Sequence, residues 1–100
     1  MASPHVLQPL NRIMTETLDI RRRRAAWRAA HRGTKELDLT IGAYARAELP
    51  AMTDRDLDRF ERFLTVADPE LQAWILTPSS GAGGEFADLV GAVRKFHGLA

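Results

Sequence analysis

The chain contains no cysteine, which excludes disulfides, thiolate metal sites and cysteine nucleophiles. It also contains no apolar run approaching the roughly 18–20 residues that a membrane-spanning helix needs, so we expect no membrane insertion. Its 100 residues leave no room for a second core of useful size. The sequence therefore predicts a single small domain.

The N-terminus lacks a basic segment followed by an apolar one, which is the pattern of a secretory signal. Pro4 and Pro9 disfavour a helix there, because proline removes a backbone donor and fixes φ. We expect residues 1–14 to form a flexible tail and residues 15–98 to form a helical domain. The scarcity of arginine in this short tail favours a bacterial cytoplasmic location over a mitochondrial matrix.

Acidic residues are missing from the segment between Arg21 and Lys35. That segment holds seven of the 14 basic residues, which leaves seven basic residues against 13 acidic ones in the rest of the chain. The seven are Arg21, Arg22, Arg23, Arg24, Arg28, Arg32 and Lys35. A net charge of +1 thus conceals a basic patch on an acidic domain, an asymmetry that affects partner choice and association rate.

Wherever apolar residues recur regularly along the sequence, their spacing is that of a helix. No segment shows the alternation of apolar and polar residues that is typical of a β-strand. Five helices are predicted: about Glu16–His31, about Thr34–Glu48, one opening at Thr53, a short one with Asp68 as N-cap and Pro69 at its first position, and about Glu85–Phe96. N-cap residues and early proline mark these starts. The predicted fold is therefore all-α, a compact single-domain bundle of about five short helices.

The sequence shows no recognisable catalytic or metal-binding pattern. His5, His31 and His97 are far apart, and none pairs with another metal ligand at helical spacing. The carboxylates between Asp54 and Glu61 alternate with arginines, which is typical of a solvated, salt-bridged face. The glycine-rich segment 81–84 lacks the Lys-Ser/Thr of a phosphate-binding loop, and we interpret it as a connector. We predict a protein that is not an enzyme and binds no metal.

The segment Arg32-Gly33-Thr34-Lys35-Glu36-Leu37-Asp38 marks a break between two helices, where glycine can adopt a positive φ. Arg32 at a helix C-terminus and Glu36 in the next first turn each suit the helix dipole, so capping alone explains the residue types. Capping does not explain why Arg28, His31, Arg32 and Lys35 gather at one turn. A structural cap and a binding corner fit the residues equally well.

The run from Arg21 to Arg24 allows three interpretations. It is typical of a solvated helix start, it could neutralise nucleic-acid phosphates, or it could steer an acidic protein partner. Four consecutive arginines point around the whole helix, and the remaining domain is acidic. Both observations favour protein steering over nucleic-acid binding.

The corner resembles the RGxxExD signature of the SdhE family, the succinate dehydrogenase assembly (flavinylation) factors. The similarity spans about residues 20–76. Besides the signature it includes Trp27-Arg28, the apolar run Leu37–Ala45 and the element Asp68-Pro69-Glu70-Leu71-x-x-Trp74-Ile75. Tyr44 departs from the pattern, since such sequences commonly have Phe there.

The resemblance implies a five-helix domain that binds the flavoprotein subunit of succinate dehydrogenase and promotes covalent FAD attachment to a histidine of that subunit. Some members of the family also act on fumarate reductase. The factor itself would bind no cofactor tightly and would act mainly as a monomer. The implied contact residues are Arg32, Gly33, Glu36 and Asp38, and we add their neighbours Arg28 and His31. The competing hypothesis is a small helical nucleic-acid-binding or antitoxin-like regulator that uses Arg21–Arg24.

Overall fold

The computed structural model describes residues 18–79 and 81–99, and within them the chain forms five α-helices and no strand. They are α1 (18–30), α2 (Lys35–Glu48), α3 (Asp54–Phe63), α4 (Asp68–Leu76) and α5 (Ala87–Phe96). The predicted all-α class is confirmed. None of these helices is long and apolar enough to cross a bilayer. The predicted tail at residues 1–14 and the predicted start of the first helix lie outside the described residues.

Helices α1 and α2 pack closely because small residues line their contact. Ala25 and Ala29 of α1 are fully buried. Gly42 of α2 faces Ala30, and a Cβ at residue 42 would lie 3.0 Å from the Ala30 Cα. At such a distance even an added methyl group would require Ala30 to shift. The small residues of the two helices thus let their backbones approach closely.

Helix α3 supplies the centre of the core. Its N-cap, Thr53, accepts a hydrogen bond from the Asp56 backbone N–H at 3.1 Å, and the Asp56 carboxylate accepts one from the Thr53 N–H at 3.3 Å, the reciprocal capping box. The predicted apolar face is confirmed as buried: Leu57, Phe60, Phe63 and Leu64. It packs with Leu37 and Ile41 of α2, Leu71 and Ile75 of α4, and Leu89, Val90 and Val93 of α5.

The predicted end of α2 at Glu48 is confirmed, and a 3-10 turn, Leu49–Ala51, follows it, where proline fits a first helical turn. Two other predicted boundaries were wrong in detail. The N-cap of α4 is Ala67 and not Asp68, whose carboxylate binds Arg32 instead. The last helix begins at Ala87, after a separate 3-10 turn, Gly84–Phe86.

The arginine run fastens α1 to the domain. Arg21 makes a bidentate pair with Glu61, at 3.1 Å from Nε and 2.8 Å from Nη2, and also binds Asp58. The bonds to Glu61 and Asp58 raise the pKa of Arg21. Arg22 donates to the Met52 carbonyl at 2.8 Å. The interpretation of the whole run as free steering charge is therefore wrong for two of its four members, and only Arg23 and Arg24 are exposed.

Candidate protein-docking site at the α1–α2 corner

Four residues, 31–34, join α1 to α2. Thr34 is the N-cap of α2, and its hydroxyl accepts from the Leu37 N–H at 3.3 Å. The Asp38 carboxylate reaches back and accepts from the backbone N–H groups of Arg32 and Gly33, the latter at 3.2 Å. Two donors that would otherwise lack a helical partner are thereby satisfied. Asp38 holds the turn in shape and presents little of itself outward.

Gly33 adopts a φ of +112°, a region that side-chain-bearing residues rarely occupy. It is exposed, and a Cβ built on it would lie 3.4 Å from the Asp68 carboxylate, which is ordinary van der Waals contact. The glycine is therefore required for its backbone conformation, independently of crowding. Its bare backbone also leaves the surface of the corner open to close approach.

The side chain of Arg32 points into the domain and binds three residues at once. Its guanidinium donates to the carbonyls of Leu64 at 2.5 Å and Val66 at 2.9 Å, and it pairs with Asp68 at 2.8–3.0 Å. The side chain is only 11% exposed. Leu64 and Val66 lie just beyond α3, so Arg32 caps the C-terminal end of that helix and holds the first turn of α4 beside it.

This geometry corrects the expectation that four basic residues gather at the surface of one turn. Arg32 does not share an exposed face with Arg28 and His31, because α1 ends at residue 30 and the chain turns before Arg32. Nor is its charge uncompensated, since Asp68 neutralises it. Arg28 is half-buried. The basic cluster is thus smaller at the surface than the sequence predicts.

The outward side of the corner carries different groups. Gly33, Lys35 and Glu36 are exposed, and within the described part of the chain the Glu36 carboxylate has no hydrogen bond or ion pair. His31 is exposed and donates from Nδ1 to the Trp27 carbonyl at 2.8 Å. Its ring stacks on the Trp27 indole with centroids 4.2 Å apart and planes 15° apart. The stack holds both rings in place before any partner arrives.

Two large apolar side chains beside the corner were missed by the sequence reasoning. Trp27 is 62% exposed and Leu39 is 64% exposed, one on the last turns of α1 and the other on the first turns of α2. A signal for Leu39 was present, because it lies off the buried stripe formed by Leu37, Ile41 and Tyr44. We call the exposed set Trp27, His31, Gly33, Glu36 and Leu39 the corner face.

The corner face has the composition of a protein-binding surface. Exposed tryptophan is among the commonest interface anchors, and an unpaired carboxylate beside it adds directional recognition. Among residues 18–79 and 81–99 no three metal-ligating side chains come together. His97, away from the corner, donates to the Thr40 carbonyl at 2.7 Å, while His5 lies outside the described residues. The fold is that of a small helical domain, and the corner face is its candidate docking surface.

The comparison with known families specifies this class further. A family model described as flavinator of succinate dehydrogenase matches residues 23–97, which include most of α1, the corner and helices α2 to α5. The chain belongs to this family. The resemblance inferred from the corner signature is therefore confirmed.

Curated relatives agree with this family. The chain is 38% identical over 74 residues to the FAD assembly factor SdhE of Acetobacter pasteurianus, covering 74% of this chain and 68% of that protein. It is 36% identical to the SdhE of Legionella pneumophila over 53% of this chain and 66% of that protein. It is 34% identical to the mitochondrial succinate dehydrogenase assembly factor 2 of Lodderomyces elongisporus over 59% of this chain, but spans only 36% of that longer protein. No solved structure matches.

Proposed function

We propose that this chain is an assembly factor that binds the flavoprotein subunit of succinate dehydrogenase and promotes the covalent attachment of FAD to it. The observation that carries this proposal is the family match over residues 23–97, which extends through the corner and the whole helical core. The names of the bacterial relatives, FAD assembly factor, support the same role. The nucleic-acid-binding alternative has no support from these relatives, and two of the four arginines on which it depends are engaged within the domain.

The proposed role is positional and not catalytic. The chain binds a conformation of the flavoprotein in which FAD lies against its acceptor histidine, and the bond forms through groups of the flavoprotein itself. Holding two reacting groups in place removes the entropy cost of bringing them together. The factor must bind that conformation more tightly than the others, since only differential affinity shifts an equilibrium. It needs no tightly bound cofactor of its own for this role.

The proposed contacts divide into two groups. Gly33 and Glu36, with His31 and Arg28, touch the flavoprotein, and we now add Trp27 as the apolar anchor. Arg32 and Asp38 act indirectly, because their side chains bind Asp68 and the backbone of the corner itself. The exposed Glu36 carboxylate suits a basic or N–H-bearing group on the partner, since a charge-assisted hydrogen bond is stronger than a neutral one.

The test co-expresses the flavoprotein subunit with the wild-type chain, with Glu36→Gln, or with no factor, and measures flavin fluorescence of the subunit in a denaturing gel. Glu36→Gln keeps the size of the side chain and removes only its charge. We expect strong fluorescence with the wild type and about 30-fold less with the variant, because removing an anchoring charge costs about 2 kcal/mol or more. Asp54→Asn is the matched control, since Asp54 is exposed and lies at the opposite end of α3 from the corner.

Two results would contradict the proposal. Equal fluorescence in the lane without the factor would show that attachment does not depend on this chain. Fluorescence lost to the same degree in Asp54→Asn and Glu36→Gln would show that the corner has no special part. Thermal unfolding of each variant, followed by circular dichroism, separates loss of binding from loss of folding.

Finer points of this proposal remain predictions. We expect the factor to act mainly as a monomer and to accept the related fumarate reductase flavoprotein as a client. A bacterial cytoplasm is the predicted compartment, although the relatives include both bacterial and mitochondrial proteins. Light scattering of the purified chain tests the first point, and the same gel assay with the fumarate reductase subunit tests the second.

A further inference from the structure

A cavity of about 280 Å³ opens between the second half of α2 and the first halves of α3 and α5. It is well separated along α2 from the corner face, whose last member is Leu39. Its apolar walls include Phe60 and Leu89, and its polar groups are Tyr44, Glu48, Asp56, Arg59 and Asp88. None of these residues has a part in the corner or in the function proposed above.

The charges around the cavity are unbalanced toward the negative. Three carboxylates, on Glu48, Asp56 and Asp88, face a single guanidinium on Arg59. Arg59 is occupied, since it binds Asp88 on both sides of its carboxylate and donates to the Glu85 carbonyl at 2.8 Å. Asp88 pairs with it closely enough that the pKa of Asp88 is lowered. Glu48 has no ion pair among the described residues, so the cavity keeps uncompensated negative charge.

The Tyr44 hydroxyl is a second, independent feature of this cavity. Tyr44 is only 9% exposed, and its ring is held between Phe60 and Phe96, with centroids 6.2 Å and 5.8 Å away. No hydrogen bond joins its hydroxyl to any residue in 18–79 or 81–99. Tyr44 lines the cavity together with Glu48, Asp56 and Asp88. Burial raises the pKa of Tyr44, and the charges of these three carboxylates raise it further.

The charge and polarity of these groups indicate which class of ligand the cavity can bind. An anion is disfavoured by the net negative charge. A metal ion does not fit, because in the described part of the chain no three acidic or histidine side chains come close enough to share one. A cation on an aliphatic stem fits every group, since its methylenes can lie on Leu89 and the Phe60 ring while its N–H groups donate to Glu48 and to the Tyr44 oxygen. An aromatic face also attracts a cation directly.

We propose that this cavity binds the cationic side chain of a lysine or arginine projecting from a partner protein. The ammonium or guanidinium lies between Glu48 and Tyr44, and the stem fills the apolar part of the cavity. The occupant is a protein side chain because the cavity opens on the surface and because its negative charge complements a basic projection. This second contact lies apart from the corner face and extends the docking surface of the domain.

The test titrates the full ¹⁵N-labelled chain with N-acetyl-lysine methylamide and follows the backbone amides by NMR. The matched probe is the same compound acetylated on Nε, which keeps the stem and loses the charge. We expect saturable shifts at amides around Tyr44, Met52 and Leu89 with the charged probe and none with the neutral one. Tyr44→Phe and Glu48→Gln each weaken binding by about tenfold or more, the loss of one charged hydrogen bond, whereas Glu70→Gln leaves it unchanged.

Other outcomes would overturn the proposal. Equal shifts with both probes would show apolar contact alone, and shifts spread over all exposed carboxylates, with Glu70→Gln as damaging as Glu48→Gln, would show nonspecific attraction. If 1,4-diaminobutane binds at least tenfold more tightly than the lysine probe, the cavity serves a free amine and not a protein side chain. Glu48 is exposed, so its variant stays folded even where Tyr44→Phe does not. Because only the free chain is measured, the result is independent of the flavin-attachment assay.

Discussion

The inward and outward sides of the α1–α2 corner use charged residues of one motif in opposite ways. On the inward side, Arg32 and Asp38 are satisfied within the domain: Arg32 by Asp68 and two carbonyls, and Asp38 by two backbone N–H groups. On the outward side, Glu36 and the stacked pair Trp27–His31 face solvent. Residues only four positions apart thus stabilise the fold in one case and face solvent in the other.

This difference shows that one short sequence motif can contain both residues that stabilise the fold and residues that remain exposed at the surface. Arg32 and Asp38 fix the shape of the turn, which in turn sets where Gly33 and Glu36 are presented. We expect a substitution on the inward side to affect binding only through the folded structure. We expect a substitution on the outward side to leave the fold intact and to affect binding directly. Measuring stability and binding separately distinguishes the two sides.

The largest expected effect is on the inward side. Arg32→Ala leaves the Asp68 carboxylate and the carbonyls of Leu64 and Val66 without their partner, in a region where Arg32 was largely buried. Breaking such a partly buried pair costs about 2–4 kcal/mol, a large share of the stability of a small domain. The free energy of unfolding from urea denaturation measures this loss, and Arg24→Ala, which changes an exposed arginine, is the control.

A double variant sharpens this prediction. Asp68→Ala alone should also destabilise the domain, and Arg32→Ala with Asp68→Ala should cost less than the sum of the two, because each single variant leaves a charge unpaired. Strict additivity would mean that the pair contributes nothing as a pair. Arg32 would then stabilise the domain mainly through the carbonyls of Leu64 and Val66.

The second-largest effect is expected from a substitution on the outward side of the corner. Trp27→Ala should leave the free energy of unfolding within about 0.5 kcal/mol of the wild type, since most of the indole is exposed. It should weaken binding to the flavoprotein by about 2 kcal/mol, roughly 30-fold in Kd, as truncation of a tryptophan anchor does. Calorimetric titration of the purified flavoprotein measures it. Unchanged affinity would remove Trp27 from the corner face.

The sequence predicted the helices well because their signals are local. The capping box at Thr53 and the buried stripe of α3 can both be found within a single turn or two of chain. The errors occurred where a distant group decides the outcome. Asp68 has the residue type of an N-cap, yet it is the first residue of α4 because Arg32, 36 positions earlier, takes its carboxylate.

The same reasoning explains what was predicted of the docking site. The motif placed Gly33 and Glu36 at a helix junction, and both are exposed there. Sequence alone could not tell that Arg32 faces inward, since its residue type suits either a cap or a contact. Nor did it identify Trp27 as exposed, because an aromatic residue on a helix is more often buried, and only the packing of α1 against α2 turns this one outward.

A smaller effect is expected from Asp38→Asn on the inward side. The amide oxygen can still accept one hydrogen bond, but it loses the charge that stabilises the N–H groups of Arg32 and Gly33. Loss of a capping interaction costs about 1 kcal/mol, which the urea midpoint measures. Binding measured well below the unfolding midpoint should be unchanged. A binding loss larger than the stability loss would show that Asp38 itself touches the flavoprotein.

The smallest expected effect concerns the arginines of α1. Like the charged residues of the corner, some of them are paired within the domain and others are exposed. Arg21 is paired with Glu61 and Asp58, whereas Arg24 is exposed and free to attract an acidic partner over distance. Arg24→Gln should therefore lower the association rate about twofold at low salt, and the difference should vanish as salt screens the charge. Arg21→Gln should alter the association rate less, because its charge is already neutralised, and should instead lower stability. Stopped-flow measurements at two salt concentrations distinguish the two variants, and equal rate changes in both would mean that pairing within the domain does not decide which arginines steer the partner.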